Sequence, residues 1–146
     1  MTDRAYIDTS ALAKWYVREA RSDDVEEWIR ARAPVFVCGL TIVEMRSLLA
    51  RRRREGMLDP DAERRVLATF ESDLRDGHLV RTPWPGDTLF DAANSLIARC
   101  AAPLRTLDAL QLAAALASGC RRFATADGVQ ADAAVELGLD VSRFHG

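Results

Sequence analysis

Short apolar runs alternate along this chain with longer helix-patterned segments, and that alternation constrains the fold more than any other feature. "RAYID", "PVFVCG", "HLVRT", "RRFATA" and "LDVSRF" are too short for typical helices and carry β-branched and aromatic residues, so each reads as a strand. Between them the apolar residues recur at helical spacing. Ser10 to Arg32 presents Leu12, Trp15, Tyr16, Val25, Trp28 and Ile29, with a break near Ala20 to Ser22 that divides it into two helices. Thr41 to Arg54 is a third helix. Asp61 to Arg75 is a fourth, with Val66, Leu67, Phe70 and Leu74 on one face. Asp87 to Ala101 is stopped by Pro103, Thr106 to Ser118 ends at Gly119, and "VQADAAVEL" is a short last helix. Strands alternating with helices imply an α/β protein with a parallel sheet covered on both faces.

The 146 residues suit one domain, 1–146, and 49% apolar residues provide its core. No repeat, low-complexity tract or long linker divides the sequence. No run reaches the ~18–20 apolar residues of a membrane span. Asp3 and Arg4 come early in the chain and no long apolar run follows, so the expectation is a cytoplasmic protein without membrane contact. Cys38, Cys100 and Cys120 show neither an even count nor zinc-like spacing, and read as three reduced cysteines. The net charge of -2 does not announce a nucleic-acid binder. Lys14 is the only lysine; the other basic residues are arginines, which suit bidentate phosphate contacts but also follow from compositional bias.

Parallel α/β sheets bind ligands beyond the carboxyl ends of their strands. Four acids fall towards that edge. Asp8 leaves the first strand, Glu44 lies one turn into the helix after "PVFVCG", Asp108 is in the first turn of "RTLDALQLAAAL", and Asp127 leaves "RRFATAD". Each also has a structural reading. Asp8 can cap a helix, as can Thr9 or Ser10, and Thr41-x-x-Glu44 has the form of a capping box. Asp108 suits a helix dipole, and Asp127-Gly128 suits a turn. Four independent caps, however, need not share one edge. Two carboxylates ~4 Å apart repel by about 4 kcal/mol at an effective dielectric of roughly 20, so such a cluster needs a counter-charge. Their hard oxygens suit Mg²⁺ or Mn²⁺, and an ion held this way activates water and clamps a phosphate. His78 and His145 lie outside these segments.

From "YIDTSALAKWY" through "LTIVEMRSLLARRR" and "TLDALQLAAAL" to "FATADGVQADAAVELGL", the chain resembles the PIN-domain ribonucleases, specifically the VapC-type toxins of bacterial toxin–antitoxin pairs. The resemblance implies a three-layer α/β/α sandwich with a central parallel sheet. It implies a Mg²⁺- or Mn²⁺-dependent endoribonuclease held inactive by a VapB-like antitoxin, and it favours a homodimer. The family's acidic positions carry over to Asp8, Glu44, Asp108 and Asp127, with Asp132 or Asp91 as alternatives for the fourth. Its small hydroxyl position matches Ser10, with Thr9 adjacent, and Thr125 also fits the pattern. In the implied mechanism Asp8 and Asp108 hold the metal, Glu44 orients ligands or deprotonates the attacking water, and Asp127 holds a second ion or an outer water. Ser10 positions a metal-bound water or a phosphate oxygen.

"MRSLLARRRR" places Arg46, Arg51 and Arg53 on the helix of Glu44. They are either a solvated face or a track for the RNA backbone. Trp15, Tyr16 and Trp28 are either core or an interface for a second copy or an antitoxin helix. Two other functions compete: an aspartate-nucleophile phosphatase and a PIN-like binding module without cleavage. The first is short of an acid two residues after Asp8, where Ser10 stands, and the second is at odds with four retained acids.

Overall fold

The computed structural model describes residues 3–146. Five strands form one sheet: β1 (Ala5–Ile7), β2 (Val35–Val37), β3 (Leu79–Arg81), β4 (Arg122–Thr125) and β5 (Asp140–Arg143). Their order is β3-β2-β1-β4-β5 and every pairing is parallel. The chain builds outward from β1 to β3 and then returns to add β4 on the other side. The strand order therefore reverses between β1 and β4, which makes that junction the switch point where such sheets open a crevice.

Among the described residues seven helices cover the sheet: α1 (Thr9–Tyr16), α2 (Ser22–Arg32), α3 (Gly39–Arg54), α4 (Pro60–Asp76), α5 (Asp87–Arg99), α6 (Thr106–Ala117) and α7 (Gly128–Glu136). The alternation of strand side chains sorts them into two layers. Ala5, Ile7, Val35, Val37 and Ala124 join the apolar sides of α1 to α4. Tyr6 and Phe123, stacked with centroids 5.8 Å apart, join those of α5 to α7. The expected three-layer α/β/α architecture is the one observed.

Local chemistry sets the helix ends. Asp59 caps α4 by accepting from the Ala62 amide at 2.8 Å, Pro60 opens it, and Gly77 at φ 81° closes it. Three expectations shift. The break after the first helix runs from Val17 to Arg21, because α1 stops at Tyr16 and Arg21 adopts φ 70°. The helix after Asp87 ends at Arg99, before Pro103. The third helix starts at Gly39 rather than Thr41, because Thr41 Oγ1 reaches back to accept from the Cys38 amide at 3.2 Å. The capping box thus joins Cys38 to Thr41, and Glu44 has no part in it.

The aromatic residues of the first helices serve the core. Trp28 is buried edge-on to Phe144, Trp15 packs against the α1–α4 layer, and Tyr16 packs edge-on to Phe70 while donating to Asp73 at 2.6 Å. The three cysteines are free thiols. Among the described residues no helix is long and apolar enough to cross a membrane.

Candidate active site

The carboxyl ends of β1 and β4 deliver the first and last of the four acids. Asp8 follows β1 directly and caps α1, its Oδ2 accepting from the Ser10 amide at 2.9 Å. Asp127 follows β4 and caps α7, its Oδ1 accepting from the Gln130 amide at 2.8 Å. The helix-cap reading is therefore correct for both. It does not compete with a functional reading, because β1 and β4 are neighbours and the two caps stand side by side. Asp108 comes from the first turn of α6 and Glu44 from the second turn of α3.

Asp8, Glu44 and Asp108 line one cleft of about 260 Å³ together with Thr9, Ser10, Ser47, Leu48, Arg51 and Leu107. Asp127 is not among the lining residues but is close enough for its charge to act on Asp8 and Asp108. A larger open groove of about 510 Å³ beside α2 is lined by Asp23, Glu26, Glu27, Arg30 and Ala31, mostly charged residues along one helix. It brings no separate elements together, so we place the site at the acidic cleft.

Each cleft acid is held in its protonated form more strongly than an ordinary carboxyl. Burial raises the pKa of Asp8, against hydrogen bonds from Ser10 and Gln130 that lower it, and the charge of Asp127 raises it further. Burial likewise raises Glu44, opposed by bonds from Gln111 and Thr9 and reinforced by Asp8. Asp108 is pushed up to about 7 by burial and then by the charges of Asp8, Asp127 and Glu44, with Arg105 opposing. The acids repel one another: Asp8, Glu44 and Asp127 each raise the pKa of at least one neighbour.

The alternatives for the fourth acid lie elsewhere. Asp132 is exposed and paired with Arg143 at 2.9 Å, and Asp91 is exposed on α5. Ser10 Oγ donates to Asp8 Oδ2 at 2.6 Å and accepts from the Ala126 amide at 3.0 Å. Its hydrogen is committed to the carboxylate, so it holds Asp8 rather than presenting a free donor to the cleft.

Of the three arginines expected along an RNA track, Arg51 reaches the cleft. Glu44, Ser47, Leu48 and Arg51 recur at helical spacing and share one face of α3. Arg46 lies ~200° and Arg53 ~180° around the helix from Glu44. Arg53 is bound to Glu63 at 2.8 Å and its neighbour Arg52 to Glu19 at 2.8 Å. The run of four arginines is thus divided: Arg51 lines the cleft, Arg52 and Arg53 make structural ion pairs, and Arg54 is exposed at the helix end.

Two buried glutamines went unread in the sequence. Gln111 Nε2 donates to Glu44 Oε1 at 2.6 Å, and Gln130 Nε2 donates to Asp8 Oδ1 at 3.1 Å. Both side chains are fully buried. The available signal was a polar residue on the buried side of an alanine-rich helix, three positions after a site acid in each case.

Among the described residues no three His, Cys, Asp or Glu side chains are gathered closely enough to hold a metal ion by themselves. The donor set still fits a hard divalent cation. It offers oxygens only, and Mg²⁺ is commonly bound through one or two carboxylates, with water and phosphate oxygens completing the shell. A parallel α/β sandwich with an acidic cleft at the switch point is the class that the fold and site define.

Comparison with known proteins agrees. The chain matches the PIN domain family over residues 5–136. It is 35% identical over 139 residues to Ribonuclease VapC46 of Mycobacterium tuberculosis, covering 93% of this chain and 94% of that one. Similar folds occur in PAE2754 from Pyrobaculum aerophilum, with TM-score 0.64 and 23% identity over 89% of this chain and 84% of that one. FitAcB from Neisseria gonorrhoeae gives TM-score 0.60 and 16% identity over 97% of this chain and 96% of that one. This chain belongs to the PIN domain family.

Proposed function

We propose that this protein is the toxin of a toxin–antitoxin pair, a metal-dependent endoribonuclease acting in the cytoplasm as one domain, 1–146. The observation that carries the reading is the cleft where Asp8, Glu44 and Asp108 converge with Arg51 at the switch point of the sheet. The similarity to Ribonuclease VapC46 supports RNA as the substrate. An antitoxin partner of the VapB type and a homodimer complete the proposal.

Asp8 and Asp108, with the charge of Asp127 near them, would hold Mg²⁺ or Mn²⁺. When bound, the ion would lower the pKa of a water and neutralise charge on the scissile phosphate. Glu44 accepts hydrogen bonds from Thr9 at 2.9 Å and Gln111 at 2.6 Å, both on Oε1. Its other oxygen would take a proton from the attacking water. Ser10 and Gln130 fix Asp8, and Arg51 contacts the RNA backbone beside the acids. Attack by water at phosphorus with departure of the 3′ oxygen leaves a 5′-phosphate and a 3′-hydroxyl.

The test is cleavage of total RNA by purified protein freed of any partner, with Mn²⁺, Mg²⁺ or EDTA, alongside Asp8→Asn. Cuts that need metal and disappear in the variant are expected. Equal inertness of wild type and variant with either ion would overturn the reading.

A further inference from the structure

Two hydroxyl–glutamine–carboxylate relays run under the cleft floor. In the first, the Tyr6 hydroxyl donates to Gln111 Oε1, and Gln111 Nε2 donates to Glu44 Oε1 at 2.6 Å. In the second, Thr125 Oγ1 donates to Gln130 Oε1 at 2.5 Å, and Gln130 Nε2 donates to Asp8 Oδ1 at 3.1 Å. Tyr6, Gln111, Thr125 and Gln130 are each fully buried. A buried amide has two ends of opposite character, and its orientation follows from what each end meets. Tyr6 and Thr125 each supply a donor to the amide oxygen, so in both relays the NH₂ end is turned towards the acid.

The two relays do different things to their carboxylates. Gln130 completes a set in which both oxygens of Asp8 accept, Oδ1 from Gln130 and Oδ2 from Ser10. Gln111 and Thr9 both bind Oε1 of Glu44, so the hydrogen bonds among the described residues leave Oε2 to the cleft. Packing alone does not call for this. A fully buried glutamine in the apolar helix α6 carries the desolvation cost of an amide unless its partners are placed for it. Here those partners come from β1, α1 and α3.

We infer that Gln111 and Gln130 are positioning residues of the hydrolytic site, with Tyr6 and Thr125 setting the orientation of their amides. Gln111 turns one oxygen of Glu44 towards the substrate, and Gln130 holds Asp8 in place at the strand end. The inference rests on the function proposed above.

The test uses Gln111→Met, which keeps the volume and removes the amide, and Tyr6→Phe, which keeps the stacked ring and removes only the hydroxyl. Mn²⁺ binding is measured by titration of the partner-free protein, kcat and KM on an RNA that the wild type cleaves, and folding by thermal melting. Gln111→Met is expected to lower kcat or Mn²⁺ affinity about 10–100-fold with KM little changed, the range found when residues that orient metal ligands are removed. Tyr6→Phe should have a smaller effect in the same direction, and none when added to Gln111→Met. If Gln111→Met does not fold, Tyr6→Phe and Thr125→Val carry the comparison. Folded variants with wild-type kcat and Mn²⁺ affinity overturn the inference while leaving the nuclease intact. A wild type that neither binds Mn²⁺ nor cuts RNA overturns both.

Discussion

Asp8 and Asp127 cap helices that leave two adjacent parallel strands, so the two carboxylates are set side by side by the same local device used twice. An N-cap carboxylate is anchored through its own helix, which leaves little freedom for it to swing away from the cleft. Cap and site are one arrangement here, and substitutions can separate the two contributions.

Asp8→Asn retains an oxygen for the Ser10 amide and removes a buried charge, although its NH₂ would then meet Gln130 Nε2. Asp8→Ala loses the cap and should cost about 0.5–2 kcal/mol. We expect Asn to melt close to wild type, Ala to melt lower, and both to lose at least ~100-fold in RNA cleavage, since a site acid is removed in each. Melting curves and cleavage rates on the same preparations check both halves.

Asp127 does not line the cleft, although its charge acts on Asp8 and Asp108. Asp127→Asn keeps the cap on Gln130, so folding should be preserved. Cleavage should fall less than for Asp108→Asn, about 10-fold against ~100-fold or more. Equal losses in the two variants would place Asp127 in direct contact with the reacting groups.

The acids make stability depend on pH in a direction opposite to a salt-bridged carboxylate. Asp108 titrates at about 7 in the folded chain and at about 3.9 when unfolded. Between those values the folded state holds a proton that the unfolded state has lost, so stability falls as pH rises from about 4 to about 7. Burial moves Asp8 and Glu44 in the same direction. The metal-free protein should melt at a higher temperature at pH 5.5 than at pH 7.5. That gap should narrow in Asp108→Asn and on adding Mg²⁺, which binds the ionised cluster.

Arg51 shares the acid-bearing face of α3 and Arg46 does not. Arg51→Gln should weaken RNA binding and reduce the salt dependence of affinity by about one counterion. Arg46→Gln should leave both near wild type. Binding of a non-cleaved RNA across a salt series, read by fluorescence anisotropy, separates them.

The sequence was most informative where periodicity and position agree. All five strand runs hold a strand, and Asp108 lies in the first turn of α6 where the pattern put it. The start of α3 was misplaced because Thr41 has the chemistry of an N-cap, and only the bond from the Cys38 amide shows that it is the third helical residue instead. The division of the arginine run could not be read from local spacing alone, since Glu19 and Glu63 arrive from distant segments. Gln111 and Gln130 were illegible for a similar reason. A glutamine in a helix is unremarked until the structure shows that it is buried and which acid it meets.

The switch point also sets a timetable. Ile7 pairs with Ala124 across the centre of the sheet, and at ~5–20 residues per second the second strand leaves the ribosome roughly 6–23 s after the first. Until β4 and α7 arrive, Asp8 lacks Gln130 and the neighbouring cap of Asp127. A nascent chain at that point has made every residue that lines the cleft but not the amide that holds Asp8. That interval recurs in every round of synthesis, so the last stretch of chain to be made completes the setting of the first acid.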